Sequence, residues 1–221
     1  MGGYRLIGIV ALGNECCVSL LLNGCAAVGV AAHALPPATI LPAYDGLLGQ
    51  SVGVMVWADR GVRIDFAAIQ VDLANAVQKR LEAAAPKAKQ LKGTTFPVKP
   101  ASIVRYQQDH PEIDGSPVNM VAPKLGVTRL VYVEIESFAT RSELSVDLFK
   151  GTSSASMKVL EVNGTNVKTG YNESGIRVSF PPKAPREGIP NVGDGKIYGG
   201  TIDALATQIA NRLLPHEEEE Q

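Results

Sequence analysis

The chain has 221 residues, 45% of them hydrophobic. That suits one packed domain with a targeting segment and excludes wholesale disorder. Its 21 Lys and Arg against 22 Asp and Glu leave a formal net charge of −1, which argues against a dedicated nucleic-acid binder with its basic surface and gives no polybasic patch for anionic lipid.

Met1–Arg5 supplies one positive charge, and Leu6–Leu12 is apolar. Gly13-Asn14-Glu15 interrupts, and Cys16–Leu22 is apolar again. A secretory signal has one uninterrupted apolar run, so Asn14 and Glu15 fit a true start downstream of Met1. Neither run has the roughly 20 apolar residues of a transmembrane helix. Leu22-Asn23-Gly24-Cys25 follows. With Leu at the first position and small Gly24 before the cysteine, it resembles the lipobox of bacterial lipoproteins. The resemblance implies that residues 1–24 are a signal peptide removed in maturation and that Cys25 carries the lipid. Cleavage removes Arg5 and Glu15 together, so the net charge is unchanged. Ala26 is not the aspartate that holds enterobacterial lipoproteins at the inner membrane, which points to the outer membrane, facing the periplasm. An ordinary signal peptide cut near Ala27 or Ala32 is the alternative. Cys16, Cys17 and Cys25 are the three cysteines of the chain. After cleavage and lipidation the domain therefore has no disulfide, thiolate metal site or cysteine nucleophile.

Residues 25–50 are rich in Ala and Pro, without period, and read as a flexible tether. Tyr44-Asp45-Gly46 is a turn signal leading into a domain over 51–215. Val52–Trp57 is a short, nearly continuous apolar run, as in a strand buried on both faces. Ala58–Gly61 ends it. Asp65 is placed to cap a helix whose buried face is Phe66, Ile69, Leu73, Val77 and Leu81; Pro86 bars its continuation. Lys87, Lys89 and Lys92 read as a solvated helix end favoured by the macrodipole, with a phosphate or lipid headgroup contact as the alternative. Thr94–Val98 reads as an edge strand because of Pro97. Pro100–Gln108 reads as a helix with Pro in its first turn, and Val118–Leu125 as a short helix closed by Gly126.

Thr128–Phe138 is the clearest strand. Its alternation puts Val131, Val133 and Ile135 on one face, and Leu130, Tyr132, Glu134, Glu136 and Phe138 on the other. Ser153–Val162 and Ile176–Phe180 are two more strands, with turns at Asn163-Gly164 and Asn172–Gly175. The three form an antiparallel meander without long hairpins. Pro181–Gly195 reads as an irregular loop. A final helix starts at Thr201 or Asp203, with Ile202, Leu205, Ile209 and Leu213 buried. Residues 216–221 form a solvated acidic tail. The expected fold is therefore α+β, a two-layer sandwich in which a mixed sheet with an antiparallel meander is covered by helices.

Three features carry a family resemblance: the Cys25 lipobox, the pairing of Val52–Trp57 with Phe66–Leu81, and Leu125-Gly126-Val127 leading into Leu130–Ile135 before a closing helix. Together they resemble bacterial envelope lipoproteins with the amino-terminal fold of the Tol translocation protein, shared by the curli secretion lipoprotein and by lipoproteins that activate penicillin-binding proteins. The resemblance covers residues 51–214. It implies a non-enzymatic, lipid-anchored protein whose domain binds another envelope protein during assembly, transport or secretion. Pore formation is not carried over, because long amphipathic hairpins are not expected here.

The residues themselves give little chemistry. His33, His110 and His216 lack ligand-spaced neighbours, so no metal and no cofactor is expected. No Gly-x-Ser-x-Gly elbow is present. Gly193-Asp-Gly-Lys196 lacks the full phosphate-loop frame and reads as a turn. Glu134 and Glu136 are the sharpest candidates: two apart on a strand, their carboxylates lie roughly 6–7 Å apart by strand rise. Such a pair serves glycoside hydrolysis, which makes a cell-wall hydrolase the alternative function. A solvated face, or pairing of Glu134 with Arg129 or Arg141, is the plainer reading. A small-ligand or lipid carrier is a third option, to be decided by a deep apolar cavity.

Overall fold

The computed structural model describes residues 39–217. The expected signal peptide over 1–24, the expected lipobox Leu22, Asn23, Gly24 and Cys25, most of the expected tether, His33 and the end of the acidic tail lie outside the described residues. Ile40–His216 form one compact unit. Within it Tyr44 and Leu47 are buried, so packing begins before residue 51. Among the described residues no helix is long and apolar enough to cross a membrane.

Four strands, β2 (Val52–Ala58), β3 (Arg129–Ser142), β4 (Ser145–Asn163) and β5 (Asn166–Phe180), form a mixed sheet in that order. Strand β2 is buried on both faces and lies parallel to β3, with Val52 opposite Arg129 and Ala58 opposite Ile135. Strands β4 and β5 complete an antiparallel meander. Separately, the two-residue strands β1 (Thr39–Ile40) and β6 (His216–Glu217) pair with each other. The fold is α+β, as expected.

Helices α1 (Arg60–Asp65), α2 (Ile69–Ala84), α3 (Pro100–Asp109) and α4 (Val118–Val121) lie in the crossover between β2 and β3. Helix α5 (Asp194–Asn211) closes the domain. One face of the sheet, with Val54, Val133 and Met157, packs in a single apolar cluster with Leu73 and Val77 of α2 and Leu205 and Ile209 of α5. The other face carries a smaller cluster, in which Met55, Leu130 and Leu160 meet Ile103 of α3, Ile113 and Val121. That second face is only partly covered, which is what leaves room for a cleft.

Several expectations are corrected. Asp65 does not cap the long helix: it ends α1, whose cap is Asp59, accepting from the Val62 amide at 2.9 Å. Arg60 and Gly61 start this short helix, and α2 begins at Ile69 after Ala68, without a side-chain cap. Thr94–Val98 is no strand. The chain touches the sheet edge only at Thr95, whose carbonyl accepts from Val52 N and whose amide donates to Gln50 O; Pro97 has no amide to extend the ladder. Helix α5 starts at Asp194, so Gly193 is its N-cap residue and Gly193–Lys196 its opening turn.

The meander strands are much longer than their apolar runs, at 14, 19 and 15 residues, so long hairpins are present after all. Their polar outer parts are held by backbone ladders, which leave no hydrophobic period to read. Asn163-Gly164 does turn the chain, with Asn163 opposite Asn166 and Gly164 at φ +59°. Asn172–Gly175 does not. It lies within β5 at a bulge, where the partners of β4 jump from Ile176 (opposite Ala155) to Glu173 (opposite Met157) and Gly175 takes φ +74°. A second bulge, between Ile135 and Ser137, shifts the phase of β3. Phe138 therefore joins the helix-covered cluster with Ile135, not the face of Tyr132.

Candidate functional site

The partly covered sheet face holds a cleft of about 370 Å³. The strand registers build its floor: Tyr132 stands opposite Met55 on one side and Lys158 on the other, and Glu134 stands opposite Trp57. All five residues line the cleft. Its wall is the segment from Ile113 to Val118, together with Val121 of α4. This segment runs from the 3-10 helix Pro111–Gly115 to the first residue of α4. Arg63 of α1 holds it through Asp114 at 2.7 Å, and Ser116 Oγ donates to Glu112 O at 3.1 Å. His110 Nδ1 lies 2.9 Å from Glu112 Oε1. Glu112 titrates below the ordinary glutamate range, chiefly through a backbone hydrogen bond and then through His110.

Two features give the floor a chemical character. Burial, then the negative charges of Glu134 and Asp114, raises the Tyr132 phenol above its ordinary pKa, so it remains a neutral donor at every physiological pH. The Trp57 Nε1 donor is buried and has no acceptor among the described residues. A buried donor left without a partner costs about 1–3 kcal/mol. The carbonyl of Val56 beside it is, by contrast, well served: Gln70 Nε2 donates to it at 2.9 Å from α2 and Gln107 Nε2 at 3.1 Å from α3. These two side chains cap the open edge of β2 and hold it against pairing with another strand.

The sequence candidates separate here. Glu134 lines the cleft, whereas Glu136 is exposed beside the β3 bulge and is not among the lining residues. Neither arginine pairs with Glu134. Arg129 Nε donates to Tyr44 Oη and Gly46 O, both at 3.0 Å, and Arg141 Nη2 reaches Asp194 at 2.5 Å. His110 and His216 are far apart in the chain, and no group of three or more His, Cys, Asp or Glu is placed to hold a metal among the described residues. The cleft residues that sequence reasoning missed are Trp57, Tyr132, Lys158 and Asp114. The one available signal was Trp57, the single tryptophan of the chain, at the end of an otherwise aliphatic strand.

A second depression of about 380 Å³ lies at the opposite end of the sheet, among Gln50, Arg129, Glu161 and Lys168. Its polar centre is occupied by the domain itself: Tyr44 Oη donates to Glu161 Oε1 at 2.8 Å. Burial first, then the hydrogen bond to Glu161, pushes the Tyr44 phenol up to about 12. This cluster ties the entering chain to the sheet.

No family model and no curated protein sequence matches the chain. Among solved structures, a lipoprotein of Neisseria meningitidis, GNA1162, aligns with 15% identity and a TM-score of 0.40, over 73% of this chain and 98% of that one. The PelC dodecamer protein of Paraburkholderia phytofirmans aligns with 9% identity and a TM-score of 0.40, over 79% and 96%. The hypothetical protein CT253 of Chlamydia trachomatis aligns with 16% identity and a TM-score of 0.35, over 59% and 72%.

Proposed function

We propose that this is a lipid-anchored protein of the bacterial envelope, held through Cys25 at the outer membrane and facing the periplasm. Its Trp57–Tyr132 cleft binds an exposed segment of another envelope protein. The observation that carries the binding role is the cleft itself, with Met55, Trp57 and Tyr132 forming an aromatic and aliphatic floor. An apolar side chain of the partner fits such a floor. Lys158 and Glu134 on the floor offer charges for register.

A binding role fits this site better than a hydrolytic one. Of the two carboxylates read from the strand, only Glu134 lines the cleft, and the second acid there, Asp114, is engaged by Arg63. The test is a photo-crosslinking residue at Val118 in the full-length chain, expressed in its host. Capture of one and the same envelope protein, lost in Trp57→Ala and Lys158→Glu, is expected. Capture that both variants leave intact overturns the site. Turnover of cell-wall fragments that Glu134→Gln abolishes would replace binding by catalysis. The anchor is read separately, from the mass of the mature amino terminus and from loss of membrane fractionation in Cys25→Ser.

A further inference from the structure

The cleft lies toward the carboxyl end of β2; the chain enters the domain at the other end, and the surface there has a composition of its own. Leu48 is exposed at 56% just before β2 begins. The Gly49 amide donates to Lys92 O at 3.0 Å and Thr94 Oγ1 donates to Leu47 O at 2.7 Å, so Leu48 sits beside the turn at residues 92–94. Around that turn Lys87, Lys89, Lys92 and Lys99 are all exposed. None of them is in an ion pair among the described residues. From residue 83 to residue 108 the chain has no Asp or Glu. The nearest carboxylate along the entering segment is the exposed Asp45.

We infer that this end of the domain, Leu48 with Lys87, Lys89 and Lys92, docks on the anionic phospholipid surface of the membrane that holds the protein, so that the Trp57–Tyr132 cleft faces away from the bilayer. The inference rests on the anchor reading of Cys25. Fifteen positions separate Cys25 from Ile40, a span of at most about 50–55 Å when fully extended, so the domain cannot leave the neighbourhood of the leaflet. The occupant follows from charge and from this short leash. Each lysine near an anionic leaflet favours the docked orientation roughly fivefold, so three together bias it about a hundredfold. That is too weak to recruit a free domain but ample for a tethered one, whose local concentration is already high. Leu48 adds an apolar contact beside the 92–94 turn. Trp57 lies about 20 Å further along β2 from residue 51, at 3.3 Å per residue, which presents the cleft to a partner in the aqueous space.

The experiment uses the full-length, processed protein in vesicles of phosphatidylethanolamine with or without phosphatidylglycerol. A fluorophore is attached through Leu48→Cys or, at the far end of β2 on α1, through Ile64→Cys, and is quenched by nitroxide-labelled lipid. Quenching at position 48 at least fivefold above that at 64 is expected with phosphatidylglycerol. It should fall to the level of position 64 in Lys87→Glu/Lys89→Glu/Lys92→Glu and in 0.5 M salt. Equal quenching at the two positions, or a difference indifferent to charge and salt, overturns the inference. The anchor has its own readout: flotation with purely zwitterionic vesicles, lost in Cys25→Ser. If Cys25→Ser floats with anionic vesicles alone, the patch binds lipid whatever the fate of the anchor. If the parent floats with neither kind, both readings fail.

Discussion

Gly151 offers a direct test of how the closing helix seats on the sheet. The glycine is buried in β4, and a Cβ at this position would lie 1.8 Å from Thr201 Oγ1 and 3.1 Å from both Thr201 Cβ and Ile197 Cγ2 of α5. Thr201 is fully buried, with its hydroxyl committed to Ile197 O at 2.7 Å, so it cannot swing aside without losing that bond. Overpacking of this kind costs about 1–3 kcal/mol or more, offset in part by roughly 0.5–1 kcal/mol because alanine suits a strand better than glycine. We expect Gly151→Ala to lower stability by about 1–3 kcal/mol. At about 2–4 °C per kcal/mol for a domain of this size, the melting temperature falls by roughly 2–12 °C. Thr201→Ala alone costs less than about 1 kcal/mol, because the helix ladder still serves Ile197 O. Combining the two removes the 1.8 Å collision and leaves only contacts that a shift of a few tenths of an ångström relieves. The double variant is therefore at least about 1 kcal/mol more stable than additivity requires. Thermal and urea unfolding followed by circular dichroism measure all four proteins. An unperturbed Gly151→Ala, or strict additivity, would mean that α5 does not lie on β4 at this point.

Three further outcomes follow from the polar contacts. Arg212 grips Glu173 with two bonds, Nε to Oε2 at 3.1 Å and Nη2 to Oε1 at 2.9 Å, and this hydrogen bonding holds the Glu173 carboxyl below the usual range. A carboxyl depressed in the folded state contributes stability above its unfolded pKa of about 4.3 and loses it as pH falls through the folded value. The stability difference between the parent and Arg212→Met should therefore be full at pH 7 and shrink on acidification below pH 4; a pH-independent difference in urea midpoints would contradict the pairing. Gln70→Leu and Gln107→Leu should each be tolerated within about 1 kcal/mol, since the other glutamine still serves Val56 O. The double variant leaves a buried carbonyl unserved at about 1–3 kcal/mol, and simple additivity by chemical denaturation would refute that sharing. Trp57→Phe removes an unpartnered donor, so stability should not drop by more than about 1 kcal/mol. A larger drop would show that Nε1 has an acceptor within the protein.

The residues that announced themselves in the sequence were those with a short-range physical signature. Val52–Trp57 was legible because burial on both faces leaves no polar residue in the run. The buried faces of α2 and α5 were legible because their apolar positions recur at helical spacing, and Gly126 because a helix end in the left-handed conformation, φ +68°, selects glycine. The α+β class followed from the order of these elements. The proposal for Cys25 likewise rests on four adjacent residues and needs no tertiary contact.

What only the tertiary structure decided depends on partners distant in the chain. The outer halves of β4 and β5 are held by backbone bonds to neighbours, so their side chains carry no alternation, and the bulge at Glu136 reverses the phase of β3 without any residue that marks it. The cleft follows the same rule. Trp57, Asp114, Tyr132 and Lys158 meet only because β2 and β3 are parallel, β3 and β4 antiparallel, and the crossover folds its 113–118 segment over the exposed face. Register and crossover are global properties, set when the whole chain finds a packing that buries both apolar clusters, so no local window of residues contains them.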